Sequence, residues 1–266
     1  MPATAGARIV TSELQGPVKW IRFNRPEVKN AITPESALLL RDELERAVGE
    51  GARVVVLAGV GGAFCSGADL KAVAAQMGEK INVRDALRDG YHRAVLAMTR
   101  SPLPVIAAVD GAAAGIGCDI ALAADMRLLS ENAFFSEIFV HINLIPDGGG
   151  TFTLPRLVGS GRALEMALTG CRVPAQQALA WGLANRVYPV EGFEAHVQKF
   201  AAELAQRAPL AVARSKEAIR AALGAGTLED SLAREANIQQ ELIETSDFRE
   251  GVTAFLTKRQ PNFQGK

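Results

Sequence analysis

Neither sign of charge is in excess: Lys plus Arg number 29, Asp plus Glu number 29, and the formal net charge is zero. That balance builds no overall field for nucleic acid or an anionic membrane and leaves only local patches open. Cysteine is scarce. Cys65, Cys118 and Cys171 are odd in number and far apart, so they form neither a disulfide framework nor a CxxC metal site. Reduced thiols in a cytoplasmic protein are the natural reading. His92, His141 and His196 show no metal-ligand spacing. No apolar run approaches the roughly 18 residues of a membrane helix. The opening MPATAGARIV has no apolar core of the kind a secretory signal needs, which also predicts a cytoplasmic location. Several chemical signatures are missing as well. "GVGGAFCSG" lacks the GK[ST] of a phosphate loop. "GIGCDI" fails the sixth position of a dinucleotide fingerprint. No GxSxG elbow occurs.

What remains is ordinary globular material, 266 residues of which 48% are hydrophobic, enough for a large core. Residues 8–23 read as two short strands turned at Gln15-Gly16-Pro17. Thr33-Pro34-Glu35-Ser36 opens a helix to about Val48, with Thr33 as cap. "RVVVLAG" and "LPVIAAVDG" are apolar on both faces and flank a helical stretch ending near Thr99. They predict buried parallel strands in a βαβ arrangement. A further strand is expected over 126–129, helices over 161–168 and 174–181, and a strand in "NRVYP". Beyond Gly192 the pattern is helical throughout. The prediction is an α/β core over residues 1–190 and a helical region over 191–266 that packs on it or on a neighbouring subunit.

Two strands end in glycine-rich stations. "RVVVLAG" runs into "VGGAFCSGADL", and "LPVIAAVDG" into "AAAGIGCDIALAAD". Helix starts leave N–H groups unpaired and pointing outward. Two such stations after consecutive parallel strands can converge on one oxygen and stabilise an oxyanion. A third feature is "INLIPDGGGTF". Pro-Asp-Gly is common turn chemistry, and a turn is the first reading of Asp147.

The blocks "NRPEVKNAIT", "AFCSGADL", "PVIAAVDGAAAGIGCDIALAAD", "IPDGGGT", "LPRLVG", "EMALTG" and "WGLANRV" stand in an order that resembles the crotonase (enoyl-CoA hydratase/isomerase) superfamily over nearly the whole chain. The resemblance implies an α/β fold with a ββα-superhelix core, a helical C-terminal trimerisation region, and a homotrimer or dimer of trimers. It implies acyl-CoA thioester substrates and no metal or separate cofactor, because CoA is carried by the substrate. The shared step is an enolate held between two backbone N–H groups, which here correspond to Ala68 and Ile116. Ile116 stands where the family usually has glycine. Asp69, Leu70 and Lys71 follow the first donor and are implied to line the substrate site. Phe255 and Lys258 are implied to reach the CoA nucleotide; three residues apart, they suit one helix face.

The sequence departs from the hydratases at two carboxylates. Asp119 replaces the glutamate of their "GGGCE" pattern. Twelve residues before Thr151, where their second glutamate stands, is Phe139. A benzyl group transfers no proton. The ring-oxepin isomerases of phenylacetate degradation resemble this chain in their "IPD…GGT" and in a bulky apolar residue at that place. In that group the aspartate corresponding to Asp147 is the implied base. Three readings stay open: enoyl-CoA isomerisation with Asp147 as base, hydration with water held between Asp119 and Asp147, and acyl-CoA binding without chemistry. Two neighbours are rivals. If "FSEIFVH" is extended, Glu137, Phe139 and His141 share one face, and Glu137 approaches the site. Otherwise Glu137 is a surface or subunit-contact residue and His141 is structural.

Overall fold

The computed structural model describes residues 8–75, 82–224 and 226–266. The extreme N-terminal residues read above for a signal lie outside them. β1 (Val10–Gln15) and β2 (Val18–Phe23) form the expected antiparallel hairpin, turning at Gly16 with φ +60°. α1 (Pro34–Gly49) begins where the sequence places it. Thr33 Oγ1 accepts from Ser36 N–H at 3.3 Å, and Ser36 Oγ accepts from Thr33 N–H at 3.2 Å. Leu40 and Leu44 are its buried anchors, each contributing about 1.5–3 kcal/mol.

β3 (Val54–Gly59) follows, then α2 (Leu70–Ala75), α3 (Val83–Ala86), a π-helical turn over Leu87–Tyr91 and α4 (His92–Arg100). β4 (Val105–Val109), β5 (Ala112–Ala114), α5 (Ile116–Ala123), β6 (Met126–Ser130) and β7 (Phe134–Ser136) come next. A 3-10 helix spans Ile138–Ile142, then α6 (Gly150–Thr169), β8 (Arg172–Pro174), α7 (Ala175–Trp181) and β9 (Arg186–Tyr188). The chain closes with α8 (Phe193–Ala205), α9 (Pro209–Ala222), α10 (Leu228–Ile243) and α11 (Ser246–Leu256).

The larger sheet has the order β1-β2-β3-β4-β6-β9, parallel from β2 onward. Alternation explains why its strands read as apolar throughout. Val55, Leu57, Ala107, Val109 and Leu129 face the core shared with α1 and α5. Val54, Val56, Ile106, Ala108 and Leu128 face the other way, onto Phe193, Val197 and Ala201 of α8. α8, the first helix beyond residue 190, therefore lies on the sheet itself. α9 and α10 contribute no fully buried residue. A smaller sheet, β5-β7-β8, stands beside the ends of β3 and β4. It is tied to the first glycine-rich station by Cys65 N–H donating to Ala112 O and Ala114 N–H donating to Cys65 O, both at 2.9 Å.

Two expectations need correction. The helix expected over 161–168 is the second half of α6, whose axis breaks at Gly159 (φ +78°, ψ 164°). Its first half carries "GTFTLPRLV", where Pro155 disguises the helical pattern. The stretch "FSEIFVH" is not extended. β7 ends at Ser136 and the chain winds into the 3-10 helix, so Glu137, Phe139 and His141 do not share a strand face.

Candidate active site

The two glycine-rich stations meet. Gly67, just before Ala68, has φ +112°; Gly115, just before Ile116, has φ +53° and ψ −132°. A Cβ on Gly115 would stand 3.8 Å from Gly67 Cα, and one on Gly67 would stand 3.1 Å from Ala114 O. Both positions need the left-handed backbone that glycine adopts freely, and both need the space. The residues that follow each glycine are Ala68 and Ile116. Among the described residues neither N–H donates a hydrogen bond. Ile116 is the first residue of α5, where no helical acceptor exists. Asp119 sits in the same first turn, fully inside the protein.

Ala68 is held from both sides. Ile32 N–H donates to Gly67 O and Asp69 N–H donates to Ile32 O, both at 2.9 Å. The Asp69 carboxylate pairs with Arg25 at 2.8 Å and accepts from the N–H groups of Lys71 and Ala72 at 3.2 Å. Those bonds hold Asp69 below the usual carboxylate range, the Arg25 contact first among them. Its side chain is thus engaged in fixing the station, while Leu70 and Lys71 are exposed on α2.

The "IPDGGGT" segment closes over α5. Asp119 Oδ2 accepts from Gly148 N–H at 2.7 Å. A Cβ on Gly148 would stand 2.3 Å from Ile116 Cδ1, and one on Gly150 would stand 2.1 Å from Asp119 Oδ1. Gly148 and Gly150 are therefore required by how closely this segment approaches α5. Asp147 lies in the loop that leads into α6, half-buried, with Oδ1 buried and without a hydrogen-bond partner among the described residues. Its backbone carbonyl is bonded to His92 Nε2 at 2.8 Å. Burial pushes the Asp147 carboxyl up to about 6, and the nearby His92 works against that rise. Burial also lifts Asp119 to about 7; the Gly148 N–H opposes the rise and the Asp147 charge adds to it. Two carboxylates thus titrate near neutrality at one place.

Phe139 is buried in the 3-10 helix, its ring beside Gly115: a Cβ there would stand 3.9 Å from Phe139 Cζ. It gives this side of the converging stations an apolar surface. Ile116 and Ile138 add to that surface.

Glu137 reverses the surface expectation. It is 0% exposed, and neither carboxylate oxygen has a hydrogen-bond partner among the described residues. Burial first, then the charge of Asp119, raises it well above the usual carboxylate range. His141 is exposed and bonds Thr169 O at 3.2 Å, the structural role expected of it. Tyr91 and His92 were not legible as site residues. They arrive through the π-helical turn, where Tyr91 OH donates to Ile32 O at 3.2 Å. No spacing signal in the sequence marks them.

Phe255 and Lys258 do not share a helix face. α11 ends at Leu256, and Lys258 has φ +53°, so the backbone has already turned away. Phe255 is 83% exposed and borders an apolar cleft with Leu210, Leu242, Phe248 and Phe263, whose lining includes none of the site carboxylates.

The profile of the enoyl-CoA hydratase/isomerase family matches residues 13–266. The chain belongs to that family. It is 46% identical over 246 residues to a probable enoyl-CoA hydratase of Rhodobacter capsulatus, covering 92% of this chain and 94% of that one. It is 34% identical to the 1,2-epoxyphenylacetyl-CoA isomerase of Escherichia coli, covering 97% and 98%. The crystal structure of an enoyl-CoA hydratase from Bacillus anthracis superposes with a TM-score of 0.91 at 35% identity, covering 97% and 100%. The crotonase-type fold and membership of an acyl-CoA enzyme family are thereby established. Among the described residues no helix is long and apolar enough to cross a membrane.

Proposed function

We propose that this family member is an enoyl-CoA double-bond isomerase with Asp147 as its base. The observation that carries the reading is the pairing of Asp147 with Phe139. A half-buried carboxylate raised to about 6 adjoins the converging stations, and the second glutamate position of the hydratases is filled by a buried ring. The thioester carbonyl of a 3-enoyl-CoA lies between the N–H groups of Ala68 and Ile116. Asp147 takes a proton from C2, and the electron pair moves into the dienolate. The same carboxylate, or Asp119, then returns a proton, exchangeable with solvent, to C4 as the double bond settles at C2–C3. Atoms balance without water. Each N–H donor is worth about 3 kcal/mol to the oxyanion. The chemistry requires no metal and no cofactor beyond the CoA of the substrate. The resemblance of "IPDGGGT" to the phenylacetate-pathway isomerases supports the same choice.

A second reading is 2-enoyl-CoA hydration with water held between Asp119 and Asp147; the probable hydratase named above favours it. A protein that binds acyl-CoA without chemistry is the third. We further propose a homotrimer or dimer of trimers in the cytoplasm. The apolar surface of the C-terminal helices supports the assembly, with Phe255, Leu256 and Leu228 at least 70% exposed.

Purified protein assayed with a 3-enoyl-CoA and a 2-enoyl-CoA, with binding measured separately, separates the readings. Isomerisation outpacing hydration is expected. Hydration as the faster reaction overturns the proposal in favour of the second reading. Binding with neither reaction overturns it in favour of the third.

A further inference from the structure

Behind Asp119 lies a carboxyl that the mechanism does not use. Glu137 is 0% exposed and Asp119 is 1% exposed. Asp119 Oδ1 and both oxygens of Glu137 are buried without hydrogen-bond partners among the described residues. The two side chains flank one glycine: a Cβ on Gly150 would stand 2.1 Å from Asp119 Oδ1 and 3.2 Å from Glu137 Oε1. Two ionised carboxylates set against one glycine repel, and a buried carboxylate with no donor costs on the order of several kcal/mol. One proton on the pair removes the repulsion and supplies the missing donor.

The groups that face this pair are few. The Cys118 thiol comes from α5, itself raised by burial, and Asp147 comes from the segment before α6. Beyond Asp147 stand the His92 ring and the Tyr91 phenol. Among the described residues no cation touches Glu137; the Cys118 thiol alone favours its ionised form, and burial together with the Asp119 charge outweighs it. Asp119, by contrast, has the Gly148 N–H on Oδ2, with the N–H groups of Asp147 and Gly150 facing it. The proton therefore belongs on Glu137 and the charge on Asp119.

We propose that Glu137 is a positioning residue held as a neutral carboxylic acid, which donates to Asp119 Oδ1 and keeps Asp119 a fixed carboxylate. Through Gly148, that anchored Asp119 sets the "DGGG" segment and so the placement of Asp147. The functional weight of this inference rests on the isomerase reading of Asp147. The protonation state does not.

The test is infrared spectroscopy of the resting, substrate-free protein at about pH 8, above the usual carboxylate range. Wild type is expected to show the carbonyl band of a protonated carboxylic acid. Glu137→Gln should lose it and Asp119→Asn should keep it. A wild type without the band, a band surviving in Glu137→Gln, or a band lost in Asp119→Asn overturns the assignment; the last outcome puts the proton on Asp119. Turnover supplies the second arm. Gln keeps a donor at this place, so Glu137→Gln should retain turnover within about threefold. Glu137→Met, which keeps the volume without the donor, should lose about tenfold or more. Equal turnover in the two variants overturns the positioning role. Because the spectra need no substrate, their failure is distinct from failure of Asp147 as base, which Asp147→Asn turnover tests by itself.

Discussion

Asp147 and Asp119 are joined through Gly148, yet they meet different surroundings. Asp119 belongs to the first turn of α5, a helix with all eight residues buried, and one oxygen is fixed by a backbone N–H at 2.7 Å. Asp147 belongs to a loop, is half-buried, and is steadied through its own carbonyl by His92 rather than through its carboxylate. Burial raises both, to about 7 and about 6. The same residue type is therefore placed for two tasks. A carboxylate tied by the backbone and backed by Glu137 is suited to hold structure and charge. A carboxylate with a free oxygen at the edge of the site is suited to accept and return a proton.

The largest break in this comparison is Asp147→Asn. The amide is nearly isosteric and is no useful base, so turnover should fall by roughly 10²–10⁴-fold while acyl-CoA binding stays nearly intact. The pH profile sharpens the point. A base works only when ionised, and burial has raised this one. Wild-type kcat/KM should therefore fall as pH drops through about 6. Profiles of wild type and variant on a 3-enoyl-CoA check both statements.

A smaller effect is expected from Phe139→Glu. A carboxylate there faces the start of α5 and Asp119 and can complete a water-holding pair. Hydration of a 2-enoyl-CoA should rise by about tenfold, below the usual yield of a placed acid/base group because the site was not built around it. Burial works against it, because a carboxylate in an apolar place tends to stay protonated. A folded, substrate-binding variant that hydrates at no pH shows that the ring excludes more than a proton carrier.

The smallest effect concerns the far region. Lys258→Ala should weaken binding of a CoA thioester by no more than about fivefold, the scale of an exposed ionic contact. A pantetheine thioester lacking the nucleotide should be affected less, and added salt should shrink the difference. Equal effects on the two thioesters place Lys258 outside the nucleotide site.

The strands of the larger sheet, α1 with its Thr33 cap and both glycine-rich stations were legible because period, capping and glycine placement are local signals; the three-residue strands of the smaller sheet were too short to show a period. The parallel order was legible because Val54–Ala58 and Val105–Val109 are apolar on both faces. Glu137 was not. Charged side chains are rarely fully buried without a partner, so the sequence favours the surface. Only the turn from β7 into the 3-10 helix, a tertiary outcome, brings it under α6. Tyr91 and His92 depend likewise on a π-helical turn that has no sequence mark, and π turns gather at functional sites. The shared helix face of Phe255 and Lys258 was misjudged for the opposite reason. A helical spacing was extended two residues past the point where α11 stops.

The most direct test of Asp147 as base is solvent exchange. Wild type and Asp147→Asn are incubated with a 3-enoyl-CoA in deuterium oxide, and deuterium at C2 and C4 is followed by mass spectrometry or NMR. Wild type should exchange these positions as the double bond moves, and Asp147→Asn should bind the substrate with no exchange above the uncatalysed rate. Exchange by Asp147→Asn at a rate near that of wild type would contradict the account.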